Sequence, residues 1–98
     1  MIFAELRYPG GYEDAHDELL ALVRARFSEV ESGIQGDSWI WILDGGEKVA
    51  LDTFSSMKHQ VKSPKPGPHV ARVIDALKER YEVALYSEPE CEPHEDCG

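Results

Sequence analysis

The apolar positions of this chain switch between two spacings. "MIFAELRY" predicts a first strand, which stops at the strong turn signal Pro9-Gly10-Gly11. In "YEDAHDELLALVRARFSEVES" the period becomes helical. Ala15, Leu19, Leu22, Val23, Phe27 and Val30 line one face. Glu13, Asp14 and Asp17 complement the dipole at the start of this helix, and Gly33 is its expected stop.

"DSWIWILD" is a strand by its β-branched and aromatic content. Asp44-Gly45-Gly46-Glu47 is a hairpin turn whose glycines supply positive φ. "KVALDTFSSMKHQV" returns as the partner strand and is long enough that a bulge or an early end is expected near Ser55-Ser56. "KSPKPGP" cannot pair in a sheet, because its prolines lack donors. Gly67 caps and Pro68 opens a second helix, with Val70, Val73, Ile74, Leu77 and Tyr81 on its buried face. "EVALYS" is the last strand.

The predicted order is therefore β-α-β-β-α-β. Two crossovers joined by a hairpin imply a ferredoxin-like plait, with a four-stranded antiparallel sheet and both helices on one face. Residues 1–87 would form one α+β domain, and residues 88–98 an acidic tail without periodicity.

A chain of 98 residues with 42% hydrophobic content can bury one core. The net charge of −9 repels nucleic acid and anionic membranes, so neither is an expected partner. The start of the chain has no basic n-region, and Glu5 interrupts its apolar run. Both features lead to an expected cytoplasmic location with reduced cysteines. Charge is uneven: Lys48, Lys58, Lys62 and Lys65 form one mildly basic stretch in an otherwise acidic chain.

Four constellations could carry chemistry. Cys91, His94 and Cys97 are spaced three apart among acids, a ligand set that suits Zn²⁺ or Cu⁺ but needs a fourth ligand for a closed site. The competing readings are a solvated tail and a disulfide. Lys62, Lys65 and His69 precede or open the second helix, where free N–H groups could join them around an anion. Against this, no Gly-rich phosphate loop is present. His16, Tyr8 and Tyr86 are the only polar candidates for a pocket between sheet and helices, as a small dimeric-plait enzyme would require. No nucleophile elbow or paired acid and base is found, so no catalytic residue is named.

Lastly, Trp39 and Trp41 alternate with Ile40 and Ile42. If the isoleucines face the helices, both indoles and Phe3 lie on the other sheet face. The preferred expectation is a non-enzymatic domain, without a cofactor, that uses this face for a homodimer or another protein partner. The alternatives are a metal protein acting through its tail, with zinc the first candidate, and the small enzyme.

Overall fold

In a computed structural model, residues 1–91 are described. The chain is α+β, with two helices and one antiparallel sheet. In chain order the elements are β1 (Ile2–Arg7), α1 (Tyr12–Arg24), β2 (Glu29–Ile34), β3 (Ser38–Asp44), β4 (Glu47–Asp52), β5 (Gln60–Lys62), α2 (Pro68–Leu77) and β6 (Glu82–Glu90). The strand order is β2-β3-β4-β5-β1-β6, six strands where the sequence predicted four.

The first extra strand comes out of the predicted first helix. Helix α1 ends at Arg24, and the chain turns through residues 25–28 into β2. Phe27 and Val30 keep helical spacing with Leu19 and Val23, but Val30 sits in a strand, opposite Ile42. Gly33 is a strand residue and not a helix stop. Its missing side chain makes room for the Trp39 indole, whose ring atoms would lie 2.6 Å from an added Cβ.

The second extra strand comes from the long partner strand. It stops at Asp52, runs through a loop, and resumes as the short β5, which pairs antiparallel with β4. The hairpin turn forms as expected, with Gly45 and Gly46 both at positive φ. Helix α2 likewise starts at Pro68 behind Gly67. β6 runs to Glu90, past the expected end at Ser87. Pro89 is tolerated there because β6 is an edge strand.

Ala4, Leu6, Ile40, Ile42, Val49, Leu51 and Val61 point from the sheet into one buried cluster with Leu19, Leu22 and Val23 of α1 and Val70, Val73, Ile74 and Leu77 of α2. Both helices therefore cover the same sheet face. Among the described residues no helix is long and apolar enough to cross a membrane.

Candidate functional site

The register assigns every strand residue to a face. Ile40 and Ile42 are fully buried in the core cluster, so Trp39, Trp41 and Leu43 lie on the face away from the helices. The two indoles are partly buried and neighbour each other, with ring centroids 4.5 Å apart. The Lys48 ammonium lies over the Trp41 ring, 3.7 Å from its centroid. Across the strands, Trp41 is opposite Glu31 on β2 and Ala50 on β4, and Trp39 is opposite Gly33 and Asp52. A groove of about 390 Å³ runs along this edge, lined by Ser28, Glu29, Glu31, Trp41, Leu43 and Lys48 among others.

Phe3 is not brought beside the indoles. The β1 register slips by one residue between Ile2 and Ala4, so that two β1 residues answer one residue of β5. Such a bulge flips the alternation beyond it. Phe3 packs against the core cluster, and Ile2 takes its place on the other face, opposite Lys62.

Of the expected anion site, Lys65 and His69 line one groove, and Lys62 lies apart from them. Lys62 is buried on the indole-bearing face, 2.6 Å from Asp52. Lys65 pairs with Glu47 at 2.8 Å. Its hydrogen bond holds the Glu47 carboxyl below the usual range. His69, on the helix side, contacts Ser63 Oγ at 3.0 Å and the Lys65 carbonyl at 3.1 Å through Nε2. A second groove, between the β3–β4 hairpin and α2, is spanned by this Lys65–Glu47 pair and by the Arg72 Nε–H donating to Asp44 at 2.5 Å. It is a seam held by opposite charges.

Of the expected metal set, Cys91 is the last described residue, and His94 and Cys97 lie outside the described residues. Among the described residues no cluster of three or more His, Cys, Asp or Glu side chains is placed to hold a metal ion.

A polar network that the sequence reading left apart closes one end of the core. His16 Nδ1 is 2.5 Å from Ser38 Oγ, and Ser38 Oγ is 2.7 Å from His59 Nε2. His59 Nδ1 is 2.8 Å from the Tyr8 hydroxyl, whose oxygen also accepts the His59 backbone N–H at 3.3 Å. Each imidazole nitrogen in this chain donates or accepts according to its tautomer, and Ser38 Oγ bridges the two rings. Thr53 adds a reciprocal pair with the Ser38 backbone, at 3.0 and 3.1 Å.

Burial, and secondarily the facing His16, lower the His59 pKa to about 4. A serine between two imidazoles has the atoms of an activated nucleophile. Yet Ser38 and His59 are both 0% exposed, and neither groove is lined by any of these residues. The network ties β1, α1 and β3 to the approach of β5.

Tyr86 is the third of the expected pocket residues. It lies on the other face, where its hydroxyl accepts a hydrogen bond from Gln60 Nε2 at 3.2 Å. The surface that presents chemistry outward is thus the row Trp39, Trp41 and Leu43 with its acidic neighbours on β2. Comparison with family models, with curated proteins and with solved structures finds no match to this chain, and the function is argued from this surface alone.

Proposed function

We propose that this chain is a non-enzymatic binding domain that uses its aromatic sheet face to hold a protein partner, a second copy of itself included. The observation that carries the reading is the side-by-side placement of Trp39 and Trp41 on the sheet face that no helix covers. Leu43, 42% exposed, continues the same row. Tryptophan is among the residues that most often dominate interface energetics, and a contiguous apolar row at a surface marks an interaction site.

The reading includes a fold argument. β4, β5, β1 and β6 keep the neighbour order and alternating directions of a ferredoxin-like plait, and the β2–β3 hairpin widens it at one edge. In this view the hairpin was added at that edge, and it carries the whole row Trp39, Trp41 and Leu43 on β3.

The test is the molar mass in solution of the wild type and of the variant Trp39→Ser, Trp41→Ser, by sedimentation at several concentrations, with far-UV circular dichroism as the fold control. Association should be lost and the fold kept. Because Trp39 packs on Gly33, Leu43→Ser serves as a second variant that leaves that contact untouched. If all three proteins have the same mass and bind partners equally, the aromatic face is not the binding surface.

A further inference from the structure

β2 is an edge strand, with β3 on one side and, among the described residues, no strand on the other. An open edge presents a row of backbone donors and acceptors to any extended chain that approaches it. Glu29 and Glu31 alternate on its indole-side face, opposite Leu43 and Trp41. Both carboxylates are exposed and have no ion-pair partner among the described residues. Beyond them Trp41 already holds one ammonium, that of Lys48, which approaches from the β4 side. The groove beside the indole brings Glu29 and Glu31 of β2 together with Lys48 of β4.

We propose that the β2 edge takes up an extended, basic segment of a partner protein as a seventh strand, with an arginine or lysine side chain laid across β2 onto Trp41. This rests on the aromatic-face reading and names its partner. Strand addition supplies affinity through main-chain hydrogen bonds, and alternate side chains supply specificity. On the indole side, successive outward residues of the added strand meet Glu31 and Glu29. Trp41 stands two strand spacings away, about 10 Å between backbones, a gap that a long cationic side chain and an indole span together. On the helix side the added residues meet Val30 and Ile34, the latter 47% exposed, so apolar residues fit there. The segment is thus alternately basic and apolar.

Charge weighs against one competitor. Antiparallel pairing of β2 with β2 of a second copy, centred on Val30, would set Glu29 against Glu31 of that copy. Like charges directly opposite each other destabilise a sheet pair. In that register the edge repels its own kind, while it suits a cationic strand.

The probe is the capped peptide acetyl-(Arg-Val)3-amide, titrated against the full chain by tryptophan fluorescence, with acetyl-(Glu-Val)3-amide as its acidic counterpart. The basic peptide should bind and the acidic one should not. Glu29→Lys with Glu31→Lys should weaken binding by about tenfold or more, two opposed charge pairs being lost. Asp17→Lys with Asp75→Lys makes the same charge change at exposed helix positions and should leave binding within about twofold.

Backbone N-methylation of alternate residues should abolish binding in one register and spare it in the other, since only every second N–H faces β2. Equal weakening by both pairs of charge reversals, or indifference to both methylation registers, would mean nonspecific attraction to an acidic protein and would overturn the proposal. Failure of the basic peptide to bind, while Trp39→Ser, Trp41→Ser still breaks association, would remove this inference and leave the aromatic-face reading standing.

Discussion

Acid should lower this protein's stability in part through one buried residue, His59. Its imidazole is buried between Tyr8 and Ser38, and its pKa is lowered from 6.5 to about 4, first by desolvation and then by the facing His16. In the unfolded chain the imidazole regains an ordinary pKa near 6.5. As pH falls below that value the unfolded state takes up the proton and the folded state does not. The contribution is therefore fully present above about pH 6.5 and is lost as pH falls to about 4. A difference of about 2.5 units, at about 1.4 kcal/mol per unit, makes the loss about 3 kcal/mol.

The comparison that isolates this effect is His59→Gln. Glutamine keeps a donor and an acceptor but does not titrate. At pH 7.5 it should be less stable than the wild type by about 1–3 kcal/mol, since Ser38 and Tyr8 lose a well-placed partner. Urea unfolding of both proteins at intervals from pH 7.5 to 4 then gives two curves. Contributions from carboxylates and from overall charge repulsion are common to both and cancel in the difference. The wild-type curve should fall toward the variant by about 3 kcal/mol. An imidazole Cε1–H resonance that titrates near pH 4 would identify the group directly. Parallel curves, or a His59 midpoint near 6.5, would refute the reasoning.

Two further substitutions probe the other sheet face. Gly33→Ala places a Cβ 2.6 Å from three atoms of the Trp39 ring, so the indole must move. The expected cost is about 1–3 kcal/mol, with a change in tryptophan emission. Lys62→Met leaves Asp52 buried without its cation and should cost about 3–5 kcal/mol, while adding Asp52→Leu should recover most of it; denaturant midpoints of the single and double variants check this.

The elements with long, regular apolar patterns were legible in the sequence, and the short ones were not. The α2 stripe formed as read from Val70 to Leu77, with Tyr81 falling beyond the helix end, and the Gly-Pro start and the Asp-Gly-Gly-Glu hairpin formed as read, because each rests on local backbone chemistry. β2 was hidden because Phe27 and Val30 continue the α1 stripe by coincidence, and no Gly or Pro marks the helix end at Arg24. The bulge that turns Phe3 inward leaves no mark in "MIFAELRY", since it depends on β5 and β6.

The polar network did leave a signal. Ser38 is in phase with Ile40 and Ile42, Tyr8 with Leu6, Thr53 with Leu51, and His59 with Val61. His16 lies on the stripe of Leu19 and Val23. Polar residues at core-facing positions in five separate segments must meet each other or go unsatisfied, and here they meet.

The position of β1 sets the order in which the chain can assemble. It precedes the other five described strands along the chain, yet it lies between β5 and β6, with Gln60–Lys62 on one side and Glu82–Glu90 on the other. The β2–β3–β4 meander closes through short turns and can form as soon as it is synthesised. β1 must wait for more than half of the chain before its first partner exists, and for nearly all of it before its second. During that interval its apolar residues have no sheet to join. Folding of the complete sheet is thus a late, long-range event, and any polypeptide that ends between residues 62 and 82 leaves β1 at the sheet edge, with its β6 side open to pairing with other chains.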